Sequence, residues 1–190
     1  MPRRLPTWCY PANLITELRL ISIPVVIVCV VLHRAGWAFG LFTAAALSDG
    51  VDGYLARHFD QRSALGAILD PIADKSLLTS MFVVLAIVGQ LPWALSILVF
   101  VRDGCILVSA LVLVSFTKFR DFQPTWWGKA STTAELATVG AALLQALTGS
   151  QVVLGIEKFG WVAVTVLATV SGIHYAFTSA ERYHARQVSS

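Results

Sequence analysis

The sequence predicts an all-α polytopic membrane protein with six transmembrane helices. Hydrophobic residues make up 56% of the 190-residue chain and charged residues only 13%, whereas a soluble domain carries about 25% charged residues. The apolar residues form continuous runs of more than about 18 residues, where a soluble helix would show a one-sided apolar stripe. Because no repeat and no second domain is apparent, residues 1–190 are predicted to form one membrane domain.

Six segments are long enough to cross a bilayer, which takes about 20 apolar residues for about 30 Å of hydrocarbon. In chain order they are Leu14–Leu32, Trp37–Arg57, Ala64–Val88, Pro92–Phe116, Ala130–Leu147 and Phe159–Phe177. The first follows a helix-start signal at Pro11 and ends at "HRAG", and the second ends at the charged "HFDQRS". The third ends at "GQLP", where Gly and Pro interrupt a helix. The fourth and fifth end at "TKFRDFQPTWWGK" and "TGSQVVLGIEK", and the sixth is followed by the basic "RYHAR".

Lysine and arginine are distributed unevenly between the two sides of the predicted bundle. One side holds Arg3, Arg4, Arg57, Arg62, Lys118, Arg120, Lys129, Arg182 and Arg186, and the other holds Arg34 and Lys158. Since positively charged loops stay in the cytoplasm, both termini and the "HFDQRS" loop are predicted to be cytoplasmic. Trp126 and Trp127 fall where an interfacial aromatic belt is expected.

Four aspartates, at positions 49, 52, 70 and 74, interrupt the apolar pattern of two predicted spans within residues 49–74, "DGVDGYLARHFDQRSALGAILDPIAD", and a fifth, Asp60, lies in the loop between the spans. An aspartate at the centre of a membrane helix costs about 2.5–3.5 kcal/mol on insertion scales. Asp49 and Asp52 are three residues apart, and Asp70 and Asp74 are four apart, so each pair shares one face of its helix. The two antiparallel helices are joined by a short loop, which places both pairs at similar depth. We expect the four carboxylates to converge near the cytoplasmic surface.

Converging carboxylates without matching cations are typical of a site for Mg²⁺, Mn²⁺ or Ca²⁺. Arg57 and Lys75 can neutralise part of the charge, and the small residues Gly53, Ala56 and Gly66 either leave room for ligands or pack the helices together. Two divalent ions would suit phosphoryl transfer, with one carboxylate free to act as a general base. Ion pairing or protonation of the aspartates is the structural alternative.

The segment matches the signature D-x-x-D-G-x-x-A-R, eight residues, then G-x-x-x-D-x-x-x-D. Its eight positions are Asp49, Asp52, Gly53, Ala56, Arg57, Gly66, Asp70 and Asp74. In this signature, and in the preceding "PANLITELRL", the chain resembles the CDP-alcohol phosphatidyltransferase family. The resemblance implies the fold of that family and a membrane enzyme, usually a homodimer. Such enzymes transfer a phosphatidyl group from CDP-diacylglycerol to an alcohol and release CMP.

Roles for individual residues follow from the resemblance. It implies that Asp49, Asp52 and Asp70 hold two divalent ions, Mg²⁺ or Mn²⁺, and that Asp74 helps to coordinate them and is the catalytic base. Further residues are implied to bind CDP-diacylglycerol: Gly53, Arg57, Ser63, Asn13, Thr16, Ala56 and Gly66.

The acceptor alcohol is predicted to be of the glycerol type. "RSALG" and the later "VRDG" resemble the CMP-forming cardiolipin synthases, whose acceptor is phosphatidylglycerol. Phosphatidylglycerophosphate synthases, which use glycerol-3-phosphate, more often show Arg-Glu at the latter position and are the alternative. Arg102 and Lys129 are candidates for binding the acceptor's phosphate. The competing readings are an ion pair of Arg102 with Asp103 or with a carboxylate of the site, and a topological anchor at Lys129.

Other functions are disfavoured by the sequence. The three cysteines and four histidines show no zinc or disulfide spacing, and no nucleic-acid partner is predicted. A divalent-cation transporter is a remote alternative, since no inverted repeat is visible and the acids lie toward one side. A non-catalytic scaffold would not be expected to keep the whole signature. The expected location is a bacterial inner membrane, because no Arg- and Ser-rich transit stretch is visible, or the mitochondrial inner membrane in a eukaryote.

Overall fold

The computed structural model describes the backbone of residues 11–59, 66–116 and 126–187, and the side chains of residues 20–48, 75–106 and 126–173. The described backbone forms six α-helices and no strand. They are α1 (Pro11–Val31), α2 (Ala35–Phe59), α3 (Gly66–Ile87), α4 (Trp93–Phe116), α5 (Trp126–Thr148) and α6 (Gln151–Gln187). The all-α prediction is confirmed, and each helix corresponds to one of the predicted segments.

The last two helices begin earlier than predicted. α5 starts at Trp126 rather than Ala130, and α6 starts at Gln151 rather than Phe159 and continues past Phe177 to Gln187. Gly149 ends α5 with a φ of 63°, and its N–H bonds to the carbonyl of Gln145 at 2.8 Å. Because Gly149 absorbs the reversal of the chain, most of the predicted connection "TGSQVVLGIEK" is helical.

The other two described turns are also short. His33, with a φ of 54°, lies between α1 and α2, and Gly89, with a φ of 78°, follows α3. Past the end of α3, the N–H groups of Gly89 and Gln90 bond to the carbonyls of Ala86 and Leu85 at 3.1 and 2.8 Å. Turns this tight bring consecutive helices together as antiparallel neighbours.

The helices pack around a shared apolar core. α1 packs against α2 and α3, α3 also contacts α4 and α5, α2 contacts α5, α4 contacts α6, and α5 and α6 share an extensive interface. Five core side chains from four of these helices are almost completely buried: Val26, Phe82, Leu85, Val99 and Leu143. The described core part of α3 lies C-terminal to the segment that carries Asp70 and Asp74.

Large apolar side chains are also exposed around the outside of the bundle. They occur on all six helices and include Ile21, Trp37, Ile87, Phe100, Leu147 and Phe159. Exposed apolar side chains on every helix agree with the predicted contact with lipid. Within the described residues, Gln151–Ile173 is long and apolar enough to cross a membrane, and Leu20–Val31, Ala35–Ser48 and Lys75–Ile87 form shorter apolar helices. Spanning by all six helices stays a prediction.

The contact between Gly160 and Thr138 is the tightest approach of α6 to α5 at a described glycine. A Cβ atom on Gly160 would lie 2.5 Å from Thr138 Oγ1, and this hydroxyl is held by the carbonyl of Ala134 at 2.7 Å. We therefore expect Gly160→Ala to lower the free energy of unfolding by about 1–3 kcal/mol through overpacking. Thermal unfolding of the purified protein in detergent measures the effect.

Gly155, also on α6, provides the matched control because a Cβ there would meet nothing within 4 Å. Gly155→Ala is expected to leave stability unchanged or raise it by about 0.5–1 kcal/mol through helix propensity. Adding Thr138→Ala to Gly160→Ala should recover part of the loss. Equal stability of the Gly160→Ala and Gly155→Ala proteins would show that the helices do not approach as closely as described.

Candidate active site

The aspartate signature lies on two helical segments. Asp49 and Asp52 belong to the second half of α2, and Asp70 and Asp74 to the first half of α3. Both pairs are therefore in helical backbone, as predicted, where spacings of three and four residues place the members of each pair on one helix face. The side chains of all four lie outside the described residues, so their convergence stays a prediction.

The remaining predicted substrate residues lie outside the described side chains as well. Gly53, Ala56 and Arg57 belong to α2, Gly66 is the first residue of α3, and Asn13 and Thr16 belong to the start of α1. Ser63 lies in the connection between α2 and α3, outside the described backbone. Their roles in binding CDP-diacylglycerol stay predictions.

The donor set of the signature fits a hard divalent cation. Four carboxylates on two helices supply only oxygen ligands, which suit Mg²⁺ and Mn²⁺. Elsewhere, in the side chains described at residues 20–48, 75–106 and 126–173, no group of three or more His, Cys, Asp or Glu residues is placed to hold a metal ion. The signature is therefore the metal-site candidate that the sequence and the helix assignments support.

Immediately beyond Asp74, the structure shows a buried ionic network centred on Arg102 of α4. Arg102 Nη1 donates to Asp103 Oδ1 at 2.6 Å and to Glu135 Oε1 of α5 at 3.2 Å. Its Nη2 donates to Ser171 Oγ of α6 at 3.1 Å. Arg102 is 6% exposed, Asp103 4% and Glu135 0%. These contacts join α4 to α5 and α6.

Lys75 connects this network to α3. Its Nζ donates to Asp103 Oδ1 at 2.9 Å, and its side chain is 23% exposed. On the other side, Ser131 Oγ donates to Glu135 Oε1 at 2.8 Å. The formal charges of Lys75, Arg102, Asp103 and Glu135 cancel. Mutual neutralisation makes the three buried ionic groups and the half-buried Lys75 tolerable in an apolar bundle.

Three buried polar atoms of the network have no hydrogen-bond partner among the described residues. They are Arg102 Nε, Asp103 Oδ2 and Glu135 Oε2. The ion pair of Arg102 with Asp103, one of the two alternatives for Arg102, is present. Contact of Arg102 with an acceptor phosphate stays a prediction, and the unpaired Nε–H is the donor that such a contact would use.

A family model described as CDP-alcohol phosphatidyltransferase matches residues 9–180. The chain belongs to the CDP-alcohol phosphatidyltransferase family. It is accordingly an enzyme that transfers a phosphatidyl group, and the transporter and scaffold alternatives are set aside.

Relatives of this phosphatidyltransferase carry two kinds of name. A probable phosphatidylglycerophosphate synthase of Mycobacterium tuberculosis is 31% identical over 171 residues, 86% of this chain and 78% of the relative. The CDP-diacylglycerol–glycerol-3-phosphate 3-phosphatidyltransferase of Cereibacter sphaeroides is 35% identical over 158 residues, which are 80% of this chain and 70% of the relative. The CMP-forming cardiolipin synthase of Homo sapiens is 31% identical over 156 residues, which are 72% of this chain and 50% of the relative.

Lys129 of the phosphatidyltransferase lies in the first turn of α5. Its Nζ is 5.7 Å from the centroid of the Trp126 ring, which is within cation–π distance. Lys129, Trp126 and Trp127 are all exposed. This arrangement agrees with an interfacial anchor, while binding of the acceptor by Lys129 stays a prediction.

Sequence reasoning missed how far the network extends. Glu135 carried a usable signal, because an ionisable residue within an apolar span needs a partner. Ser131 and Ser171 carried none, since a serine in a membrane helix commonly bonds to its own backbone. Their contacts depend on how α5 and α6 are rotated against α4.

Proposed function

We propose that this phosphatidyltransferase transfers the phosphatidyl group of CDP-diacylglycerol to phosphatidylglycerol, forming cardiolipin and CMP. The complete eight-position signature on α2 and α3 is the observation that carries the proposal. A glycerol-type acceptor is supported by the names of the relatives, all of which use glycerol-3-phosphate or make phosphatidylglycerophosphate or cardiolipin. Phosphatidylglycerol is favoured by "RSALG" and "VRDG", which resemble the cardiolipin synthases.

Asp49, Asp52 and Asp70 would hold two divalent ions, Mg²⁺ or Mn²⁺, with Asp74 completing the ligand set. When bound, the ions would neutralise the phosphates and stabilise the attacking and leaving oxygens. Arg57 and Ser63 would hold the cytidine diphosphate part, and Gly53, Ala56 and Gly66 would allow it to approach the helices closely.

Asp74 would act as the general base. A carboxylate oxygen of Asp74 takes the proton of the acceptor hydroxyl, and the hydroxyl oxygen forms a bond to the phosphorus that bears diacylglycerol. The bond from that phosphorus to the bridging oxygen breaks. CMP leaves with the bridging oxygen on its phosphate, and the charge of Arg57 favours the leaving group.

Glycerol-3-phosphate is the second candidate acceptor. The relatives from Mycobacterium tuberculosis and Cereibacter sphaeroides cover more of this chain than the human cardiolipin synthase does. Both carry names of enzymes that make phosphatidylglycerophosphate or use glycerol-3-phosphate. The larger matched share of the chain supports glycerol-3-phosphate as the acceptor, whereas the motifs "RSALG" and "VRDG" support phosphatidylglycerol.

The proposal includes a location and an assembly. The excess of Lys and Arg on one side supports an active site on the cytoplasmic side of a membrane, which we take to be a bacterial inner membrane. The homodimer is proposed by analogy with the family.

A parallel acceptor assay tests the proposed reaction. Purified enzyme with CDP-diacylglycerol and Mg²⁺ or Mn²⁺ is given phosphatidylglycerol or glycerol-3-phosphate, and CMP and the lipid product are quantified. Turnover with phosphatidylglycerol is expected, with cardiolipin as product. Turnover with glycerol-3-phosphate alone would assign the second candidate, and no CMP release with either acceptor would refute both.

A further inference from the structure

The Lys75–Asp103 pair is the point at which the signature-bearing helix meets the buried network. Lys75 directly follows Asp74, and its Nζ is held by Asp103 Oδ1 at 2.9 Å. Asp103 is itself held, because its Oδ1 also accepts from Arg102 Nη1 at 2.6 Å. Arg102 is in turn fixed by Glu135 and Ser171. α3 is therefore tied through two side chains to three other helices.

The helical register gives this attachment a direction. With 3.6 residues per turn, Lys75 lies about 100° around α3 from Asp74 and about 140° from Asp70. A bond that holds Lys75 against α4 therefore constrains the rotational position of residues 70 and 74 about the axis of α3. The same bond also restricts sliding of α3 along its own axis relative to α4. It acts at Lys75, nine residues or about 14 Å along the helix from its start at Gly66.

The burial of Asp103 and its partners suggests that the network has a role other than stabilising the fold. The network contains two cations and two anions on three helices, with Ser171 of α6 as a further hydrogen-bond partner, and the side chains of Asp103 and Glu135 are 4% and 0% exposed. Well-packed apolar residues of similar volume would often be as stable or more stable than such a network. Among the described residues, the Lys75–Asp103 bond is the contact of this network with α3, and a directional hydrogen bond restricts the rotation of a helix more than apolar packing does.

We propose that Lys75 and Asp103 are positioning residues, whose bond sets the rotation and height of α3 so that Asp70 and Asp74 can take part in metal binding. This inference rests on the proposed function, since it presupposes a metal site on the signature. Neither residue is assigned contact with the metal or the substrate. Residues that orient metal ligands typically change metal affinity by 10- to 100-fold when they are replaced.

Mn²⁺ binding without substrate provides the test. Free Mn²⁺ is measured by electron paramagnetic resonance in titrations of the purified full-length protein in detergent. Lys75→Met and Asp103→Asn are each expected to weaken Mn²⁺ binding about tenfold. The double variant should bind Mn²⁺ as weakly as the single ones, because both substitutions remove the same bond. Lys75→Arg should stay within about threefold of wild type because it keeps that bond.

The controls separate positioning from stability. Gly160→Ala is expected to destabilise the fold without touching the network, so its Mn²⁺ affinity should equal that of wild type. If Asp103→Asn does not fold, Lys75→Met carries the test, since it leaves the Arg102–Asp103 pair in place. Thermal unfolding recorded on the same samples shows which variants are folded.

Two results would overturn the inference. One is wild-type Mn²⁺ affinity in folded Lys75→Met or Asp103→Asn protein. The other is recovery of Asp103→Asn by Lys75→Met, which would show that the freed charge of Lys75 matters and its position does not. Failure of the proposed function would be distinct, because wild type and Asp70→Asn would then bind Mn²⁺ equally.

Discussion

Asp74→Asn is expected to reduce CMP release from CDP-diacylglycerol by at least about 10²- to 10⁴-fold. The amide cannot accept the proton of the acceptor hydroxyl, and general-base catalysis alone contributes a factor of this size. Loss of a carboxylate from the metal site adds to the effect. Initial rates at saturating CDP-diacylglycerol and acceptor, over a range of Mn²⁺ concentrations, separate the two contributions.

Glu157→Gln is the matched control for this change. It converts a buried carboxylate to an amide, and Glu157 lies on α6 outside the signature. Its rate is expected to stay within about twofold of wild type, as for a substitution remote from the chemistry. Activity of Asp74→Asn comparable to that of Glu157→Gln would remove Asp74 from the mechanism.

Arg102→Met is expected to produce the largest loss of stability, about 3–5 kcal/mol, because it breaks a buried ion pair from one side. Among the described residues, Glu135 would keep the hydrogen bond from Ser131, while Asp103 would retain Lys75. The uncompensated charge of Glu135 is therefore the main cost. Unfolding in a denaturing detergent, followed by circular dichroism, measures the change.

Two further variants test this explanation. Adding Glu135→Gln to Arg102→Met should recover part of the lost stability, since the remaining polar group is neutral. Arg34→Met, which removes an exposed arginine from the turn between α1 and α2, should change stability by less than about 0.5 kcal/mol. A loss for Arg102→Met no larger than for Arg34→Met would contradict the described network.

Local sequence patterns were sufficient to predict the helices. Apolar runs bounded by Gly, Pro and charged residues reflect the length that a bilayer requires, and all six appear in order. The start of α6 was missed because Gly155, Glu157 and Lys158 make the segment look like a loop. In the structure the helix already includes them, with Glu157 buried.

The candidate site was predictable to the extent that its chemistry is local in sequence. Asp49 and Asp52, like Asp70 and Asp74, are one helical turn apart, so their spacing alone indicates a shared face. The network around Arg102 depends on partners 33 and 69 residues away. Such pairings follow from the relative rotation of packed helices, about which a local pattern carries little information.

CMP release after removal and return of metal tests the central claim most directly. The purified enzyme is treated with a chelator, exchanged into metal-free buffer and assayed with CDP-diacylglycerol and phosphatidylglycerol while Mg²⁺ or Mn²⁺ is added back. We predict no CMP without metal, full recovery with it, and no recovery for Asp70→Asn. CMP release that persists without a divalent ion, or that Asp70→Asn retains, would contradict a metal-dependent phosphatidyltransfer on the four aspartates.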